Sequence, residues 1–575
     1  MNGSELVLAA VRDQGTDHCF MVPGGMDDPF MTPMTATDGM RTIVAAFEGG
    51  AAYMADGYAR ASGRLGLCFG IGGPGVLNMA TALAAARTDR SSVLAVSGEV
   101  PTTWEGLGGF QDASGAALDD LDAIRPLTGA SMSVEAPTLL AHHLRHVMTT
   151  ALVDRVPVHL SVPLDVQKAE LGDTEPVAIP EHLVRPHHLD ARALADALGV
   201  VVGSADRPGA RNVVVLAGEG VRGPDGAEEL RRCCERFELP VATTLGGKGL
   251  ISEEHPLALG VFGYGGSRWA TEAILSPEVE VLIVVGTGLS QRDTLQWDPA
   301  MLPSGCLIHI AGDPADIGRT WPADVPVVAE PAAALAAIAD LTGPAADGLD
   351  AGAEARRSFL ATVRAVPRRY SEADTRSDAV PMHPARVVTE LRDAFPDEGV
   401  LCVDSGAHRA WFAEYWTVRR AGTHLSLTNL APMGGAIPLG IGAQLARPEL
   451  PLMVVTGDGC MLMHGMELHT AAREQVPLVV AVMDNRSYGN IWYRAHGMGD
   501  GPSSLTDIPG MDWVGFARSV GADGERVEHP DQIAGAMGRA LEAGGPYLLD
   551  LVIDKTYPTP VTPWRDAVAH WEDDH

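Results

Sequence analysis

The chain has 575 residues, a formal net charge of −32 and a hydrophobic fraction of 46%. A chain of this length is too long to fold around one hydrophobic core, so we expect about three domains. The negative charge repels phosphate backbones and anionic lipids, which argues against nucleic-acid or membrane partners. The seven cysteines are scattered without metal-type spacing, and no apolar run is long enough to span a membrane. These features predict a soluble, cytoplasmic protein with reduced thiols.

Short, continuous apolar runs recur along the whole chain, each followed by glycine and a helical pattern. Residues 212–216 and 281–285 are examples. Apolar runs without alternation are typical of parallel strands covered by helices on both faces. The sequence therefore predicts the α/β class, with three doubly wound parallel-sheet domains.

Two polar segments, residues 173–190 and 342–381, interrupt this pattern and predict the domain boundaries. We expect domains at 1–175, 190–342 and 380–560. The first and third domains both end with a helical segment and a proline-led strand, Pro157–Pro163 and Pro546–Val552. This similarity predicts two related units on either side of a third.

Gly457-Asp458-Gly459 follows one apolar run, and Asn485 follows another, 27 positions beyond Asp458. Because parallel strands end at one edge of a sheet, these side chains are expected to meet there. Mg²⁺ prefers oxygen ligands, which Asp458, Asn485 and the carbonyl of Ser487 would supply, and the glycines let a diphosphate approach the backbone. A lone Gly-Asp-Gly is more often a helix-capping turn, but the spaced asparagine favours the metal site.

Two further features have a less specific meaning. Residues 46–60 form a Gly- and Ala-rich helical segment with Glu48 near its start, where a surface glutamate is the simpler interpretation. Residues 70–75 fit the pattern G-x-G-x-x-G, with Glu99 after the next strand, so a nicotinamide-dependent dehydrogenase stays open. That interpretation gives Asp458, Asn485 and Glu48 no role.

The Asp458 and Asn485 motif resembles the diphosphate and metal motif of thiamine-diphosphate enzymes, although Asp484 stands where the family carries an asparagine. Residues 46–60 resemble the family helix that bears the activating glutamate. The order of further motifs, over nearly the whole chain, resembles the acetolactate synthase family. The resemblance implies a carboligase that decarboxylates a 2-oxo acid, pyruvate by default, and transfers the acyl unit to an acceptor. It also implies thiamine diphosphate and Mg²⁺, and a homodimer or homotetramer with active sites at the subunit interface.

The resemblance assigns roles to matching residues. Glu48, as a buried carboxyl group, would exchange a proton with the pyrimidine ring, and Gly25 and Gln111 would be further catalytic positions. Met433 would hold the cofactor bent, and the carbonyl of Ala431 would accept a hydrogen bond from its amino group. The metal ligands would be Asp458, Asn485 and Ser487. The cofactor contacts would be Glu48, Pro74, Asn78, Ser405, Gly406, Ala407, His408, Ala431, Met433, Gly457, Asp458, Gly459, Cys460, Asn485, Ser487, Tyr488 and Gly489.

The chain departs from the family pattern around the acceptor. Phe47 and Gly49 replace the usual His and Gln beside Glu48, and Arg494 stands where a Trp would select a larger acceptor. The segment after Asn485 looks more like benzoylformate decarboxylase. A non-oxidative decarboxylase that releases an aldehyde is therefore the alternative.

The flavin pattern is incomplete. Residues 285–292 keep one arginine of that pattern but have Gly288 at another arginine position. FAD is therefore an open cofactor, and electron transfer of the pyruvate oxidase type is disfavoured. A catalytically inactive relative would be marked by the loss of Glu48 or Asp458, and both are present.

Overall fold

The computed structural model describes residues 1–36, 39–172, 177–184, 188–204, 207–223, 225–497 and 503–561. They form three six-stranded parallel sheets with flanking helices, which confirms the predicted fold class. Part of the predicted boundary at 173–190 lies outside the described residues.

The N-terminal sheet has the strand order β2-β1-β3-β4-β6-β5. Its inner strands at 66–71, 93–99 and 158–163 are buried almost throughout, as their continuous apolar sequences predict, whereas the edge strands at 41–44 and 131–133 are partly exposed. Its elements are α1 (Gly3–Asp13), β1 (His18–Met21), α2 (Asp28–Ala36), β2 (Arg41–Val44), α3 (Glu48–Ser62), β3 (Gly66–Ile71), α4 (Pro74–Thr88), β4 (Val93–Glu99), α5 (Asp120–Ile124), β5 (Ser131–Ser133), α6 (Leu140–Asp154), β6 (Val158–Pro163) and α7 (Leu164–Lys168). A short helix, α8 (Glu181–Val184), follows.

The middle sheet has the order β11-β10-β9-β12-β13-β14, and β7 and β8 form a separate antiparallel pair. The elements are α9 (Ala191–Val202), β7 (Gly203–Ser204), β8 (Arg207–Pro208), β9 (Val213–Ala217), α10 (Gly226–Phe237), β10 (Val241–Thr243), β11 (Ala258–Val261), α11 (Arg268–Ile274), β12 (Val281–Val285), β13 (Cys306–Ala311), β14 (Val325–Val328) and α12 (Pro331–Ala339). Helices α13 (Pro344–Ala351) and α14 (Ala353–Val363) lie within the second predicted boundary.

The C-terminal sheet has the order β16-β15-β17-β18-β20-β19. Its elements are α15 (Pro384–Ala394), β15 (Val400–Val403), α16 (Ala407–Tyr415), β16 (His424–Ser426), α17 (Ala436–Ala446), β17 (Leu452–Gly457), α18 (Asp458–His464), α19 (Glu467–Arg473), β18 (Val479–Asp484), α20 (Gly489–Gly497), α21 (Trp513–Ser519), β19 (Asp523–Val527), α22 (Ile533–Glu542) and β20 (Tyr547–Val552).

The two outer sheets repeat one topology. Numbered within its own domain, each has the strand order 2-1-3-4-6-5, whereas the middle sheet has the order 3-2-1-4-5-6. The latter order is typical of dinucleotide-binding domains. The predicted pair of related units on either side of a third is therefore present in the strand order.

The outer domains pack together through α3 and α17. A Cβ on Gly57 would lie 1.9 Å from the carbonyl oxygen of Leu439, and a Cβ on Gly442 would lie 1.9 Å from that of Met54. The two backbones therefore touch, and only glycine permits this approach. One cluster of buried apolar residues runs through both domains.

The middle domain joins the C-terminal domain through buried polar contacts. Lys248 Nζ donates to Glu253 Oε1 at 2.6 Å and to the carbonyl of Ala413 at 3.0 Å. Arg222 donates to the carbonyl of His424 at 2.9 Å. Because a buried charge must be paired, these contacts fix the middle domain against its neighbour.

All seven cysteines are buried and none is joined in a disulfide, in agreement with the expected reduced thiols. Among the described residues, no helix is both long and apolar enough to cross a membrane.

Candidate active site

A cavity of about 170 Å³ opens at the carboxyl ends of β15, β17 and β18. The strand order reverses between β15 and β17, and parallel sheets bind ligands at such a switch point. Of the predicted contacts in the C-terminal domain, Ala431 is outside the residues that line the cavity. The others line it: Ser405, Gly406, Ala407, His408, Met433, Gly457, Asp458, Gly459, Cys460, Asn485, Ser487, Tyr488 and Gly489.

The structure brings the three predicted metal ligands together. Asp458 begins α18, and its Oδ2 accepts a hydrogen bond from the backbone N–H of Ser487 at 3.1 Å. Asn485 Oδ1 accepts from the same N–H at 3.0 Å and from Ser487 Oγ at 3.1 Å. The turn is held in place because Ser487 forms a β-bridge with Asp507. A carboxylate, an amide and a backbone carbonyl therefore lie at one edge of the cavity.

This edge carries an excess of buried negative charge. Burial and the neighbouring Asp484 raise the pKa of Asp458 to about 7, and the same two causes raise the pKa of Asp550 to about 6. Arg526 Nη1 lies 2.6 Å from Asp550 Oδ2 and 3.7 Å from Asp484 Oδ2, and this Asp484 oxygen accepts no hydrogen bond from the described residues. A single guanidinium thus faces several carboxylates, and a bound cation would offset the imbalance.

The donor set fits Mg²⁺. Within the described chain, no group of three or more His, Cys, Asp or Glu side chains could hold a metal. A metal here would bind one carboxylate, one amide oxygen and one carbonyl, and diphosphate oxygens and water would complete its shell.

The glycines around the cavity allow a close approach to the backbone. A Cβ on Gly406 would lie 2.5 Å from the His408 ring, and a Cβ on Gly459 would lie 2.8 Å from the Tyr488 ring. Gly406 directly precedes α16, whose N-terminus directs backbone N–H groups towards an anion. This cradle fits a diphosphate.

His408 lies inside the cradle as a neutral side chain. Burial and the nearby Arg409 lower the pKa of His408 to about 3. Its Nε2 is buried and has no hydrogen-bond partner among the described residues. An imidazole in this state can donate or accept one hydrogen bond but adds no positive charge.

Sequence reasoning missed the supporting role of Asp404. This buried carboxylate follows β15, and Oδ1 accepts from the N–H of Ser405 at 2.7 Å and of Gly434 at 2.9 Å. It therefore ties the diphosphate cradle to the loop that carries Ala431 and Met433. Ala431 has a φ of 55°, a left-handed conformation that is uncommon for alanine and turns its carbonyl out of the usual direction.

The predicted catalytic residues of the N-terminal domain lie on a second edge. Glu48 is the first residue of α3 and accepts a hydrogen bond from Asn78 Nδ2 at 3.0 Å. The sequence analysis expected a buried carboxyl group, but Glu48 is half-buried in the single chain because α3 begins at an open edge of the sheet. Gly25 and Pro74 are exposed, and Gln111 is half-buried with a φ of 58°.

The two edges are separate within one chain. Among the described residues that line the cavity, none belongs to the N-terminal domain. Both domains also carry exposed apolar side chains. They are Phe47, Leu77, Trp104, Leu107, Phe110 and Leu118 on the N-terminal domain, and Leu430, Leu462, Met463, Met466, Ile491 and Leu505 on the C-terminal domain.

Glu99 does not fit the ribose-binding role of a dehydrogenase. It is buried, and its Oε1 accepts from the N–H of Val100 at 2.7 Å and of Ala113 at 3.3 Å. Burial raises its pKa to about 7. Its carboxylate thus supports local backbone instead of facing a ligand.

The switch point of the middle sheet is filled by the protein itself. The N–H of Gly220 donates to the carbonyl of Gly286 at 2.7 Å, so the loops after β9 and β12 are in contact. A Cβ on Gly288 would lie 3.0 Å from Asp316 Oδ1. Asp316 forms ion pairs with Arg90 of the N-terminal domain and with Arg319. These side chains occupy the position where the flavin pattern expects an arginine.

The cavity also includes residues that no motif predicted. Lys555, Tyr557 and Thr559 follow the last strand and line the cavity. Lys555 Nζ donates to Asp507 Oδ1 at 2.7 Å and lies 5.0 Å from the centre of the Trp492 ring. A lysine after the last strand has no spacing signal that could have indicated this position.

Comparisons with known proteins identify the family. Three models of thiamine pyrophosphate enzymes match the chain: the N-terminal TPP binding domain at 1–119, the central domain at 208–338 and the C-terminal TPP binding domain at 404–551. The probable acetolactate synthase large subunit of Methanocaldococcus jannaschii is 32% identical over 98% of this chain and 94% of its own length. That of Methanococcus aeolicus is 31% identical over 98% of this chain and 94% of its own length. The large subunit of acetolactate synthase isozyme 2 of Escherichia coli is 29% identical over 96% of each chain. The chain therefore belongs to the thiamine-pyrophosphate-dependent enzymes of the acetolactate synthase family.

Proposed function

We propose that this acetolactate-synthase-like carboligase uses thiamine diphosphate and Mg²⁺ to decarboxylate a 2-oxo acid and transfer the acyl unit to a small acceptor. The observation that carries the proposal is the meeting of Asp458, Asn485 and Ser487 beside a glycine cradle at a switch point. Relatives named acetolactate synthase make pyruvate the first donor to test, and pyruvate also the first acceptor.

Each of the site residues would have a defined role. Asp458, Asn485 and the carbonyl of Ser487 would hold Mg²⁺, while the backbone after Gly406 would bind diphosphate oxygens. Glu48 would hold a proton at the pyrimidine ring and return it during turnover. When bound, the cofactor would supply a nucleophilic carbon for the 2-oxo acid and a place for the electrons that decarboxylation leaves behind.

Each active site would need residues from two chains. Glu48 and Asp458 lie on separate edges, and both domains carry exposed apolar side chains, as expected of surfaces that a second copy covers. A symmetric dimer would pair the Glu48 edge of one protomer with the Asp458 edge of its partner, twice. A homotetramer would contain two such dimers.

Co-expression of two inactive variants tests this arrangement. In a mixed dimer of Glu48→Gln and Asp458→Asn chains, one site carries both changes and the other carries neither. Random pairing should restore about a quarter of the wild-type activity, because half of the dimers are mixed and each has one intact site. If both groups acted within one chain, mixing would restore none.

Product analysis tests the reaction. Supplied with pyruvate, thiamine diphosphate and Mg²⁺, the protein should form acetolactate and release carbon dioxide, and an added 2-oxo acid or aldehyde should compete as acceptor. An aldehyde as the sole product would contradict the carboligase and favour the decarboxylase alternative.

We further propose that the middle domain binds no FAD. Support comes from the contact between Gly220 and Gly286, and from Asp316, which pairs with Arg90 beside Gly288. A flavin would have to break these contacts. The purified protein should therefore show no flavin absorption above about 400 nm. A yellow protein that releases FAD on heating would contradict this proposal.

A further inference from the structure

The helix that begins with Glu48 has no cap of its own. Its N-cap residue is Phe47, whose side chain forms no capping hydrogen bond. The first N–H groups of a helix have no partner within the helix, and a helix start without a cap frays. Glu48 is therefore placed on a turn that its own domain does not secure.

A carboxylate of the C-terminal domain holds the backbone that leads into this helix. Glu467 begins α19 and is 1% exposed. Its Oε2 accepts from the N–H of Ala46 at 3.1 Å and from Thr470 Oγ1 at 2.7 Å. A negative charge near a helix N-terminus is stabilised by the helix dipole and by this N–H group.

The surrounding residues make room for this contact. A Cβ on Gly50 would lie 1.9 Å from Glu467 Oε1, so glycine at this position lets the carboxylate reach the start of α3. Arg473, on the same helix as Glu467, donates to the carbonyl of Val44. The segment that leads from β2 to α3 is thus held by α19 at Val44 and at Ala46.

We infer that Glu467 is a positioning residue that orients Glu48 by fixing the backbone before α3 from the other domain. Its hydrogen bond with the N–H of Ala46 holds the chain two residues before Glu48, and this backbone sets the direction of the Glu48 side chain. The inference rests on the proposed role of Glu48. Glu467 touches neither cofactor nor substrate in this assignment.

The contact made by Glu467 lies close in sequence to the proposed metal site. Glu467 follows Asp458 by nine positions, and the short helices α18 and α19 connect them. One stretch of chain therefore supplies a metal ligand to one edge and positions the catalytic carboxylate at the other. In the proposed dimer these two groups serve different active sites.

The first test is amide hydrogen exchange in the full chain, with and without cofactor. Glu467→Ala should speed exchange of the Ala46 and Phe47 amides by about tenfold or more, because a charge-assisted hydrogen bond is lost. Glu467→Gln keeps an acceptor oxygen and should have a smaller effect. Gly50→Ala should displace the carboxylate and reproduce the effect without changing Glu467. The control Glu449→Gln removes a carboxylate from an exposed pair with Arg447 and should leave these amides unchanged.

The second test separates positioning from fold support. Glu467→Ala should lower kcat by about 10- to 100-fold with little change in KM for thiamine diphosphate, because a small displacement of a catalytic group costs rate and not cofactor affinity. Glu467→Gln should recover most of the rate. Unchanged amide exchange in both Glu467→Ala and Gly50→Ala, or faster exchange with an unchanged kcat, would overturn the inference. If the wild type lacked cofactor-dependent activity while exchange still responded, the proposed function would be wrong but the contact between Glu467 and Ala46 would stand.

Discussion

The N-terminal and C-terminal domains have one strand order but present different edges at their switch points. In the C-terminal domain, Asp404 ties the loops together and polar groups bound a cavity. In the N-terminal domain, the corresponding edge exposes Gly25 and Pro74 beside the half-buried Glu48. The comparison shows that topology places a ligand edge, whereas the side chains after each strand decide whether it is a complete cavity or an open platform.

The largest expected effect tests the open platform. Glu48→Gln should reduce kcat by about 10²- to 10⁴-fold, because a proton-transfer group contributes on this order. Binding of thiamine diphosphate and the melting temperature should change little, since Glu48 is half-buried and its side chain has one hydrogen-bond partner among the described residues, Asn78. Steady-state kinetics and cofactor titration measure the two quantities. Full activity in this variant would contradict the assigned proton transfer.

The second prediction tests the closed cavity. Asp458→Asn should weaken Mg²⁺ and thiamine diphosphate binding together, by about 100-fold or more, because the loss of a supporting contact alone already costs 10- to 100-fold. Asp484→Asn is the matched control, since it restores the family asparagine and leaves the three proposed ligands in place. Calorimetric titration with each ligand gives the affinities. Equal losses in both variants would show that buried charge, and not metal ligation, controls binding.

The third prediction concerns the contact that joins the two domains. Gly57→Ala should destabilise the protein by about 3 kcal/mol, at the upper end for overpacking, because its Cβ would meet the backbone of Leu439 at 1.9 Å. Gly538 lies on the exposed face of α22, and an added Cβ would have no atom within 4 Å. Gly538→Ala should instead stabilise the protein by about 0.5–1 kcal/mol. Denaturant unfolding measures both changes. A neutral Gly57→Ala variant would mean that the helices separate at little cost.

The smallest expected effect concerns Glu99 and pH. Its pKa is raised by burial from 4.5 to about 7, so the folded state binds its proton more tightly than the unfolded state. The stabilising contribution of the protonated group is complete below pH 4.5 and is lost as the pH rises through 7. Glu99→Gln cannot ionise and should melt a few degrees higher than the wild type above pH 7, with the difference disappearing in acid. A constant difference across this range would contradict the assigned titration.

Local patterns predicted the parts of the molecule that depend on local chemistry. Continuous apolar strands indicated three parallel sheets, and the spacing of Asp458 and Asn485 indicated the residues that meet in the cavity, because both signals follow from strand ends at one edge. The exact domain boundaries and the roles of the site residues stay predictions. The hydrogen bond between Glu467 and Ala46 joins positions 421 residues apart, and no sequence pattern at either residue indicates the other. Arg90 and Asp316 are similar, since an ordinary charged pair became informative only after folding placed it beside Gly288.

The backbone contact between α3 and α17 has a consequence for motion. Helices that meet through Gly57 and Gly442 cannot slide or rotate past each other without separating along their length. The outer domains of one chain therefore move as a single body, without a hinge between them. In the proposed dimer, we expect the gate for substrate entry and product release to lie in the loops around the cavity or in the contact between protomers.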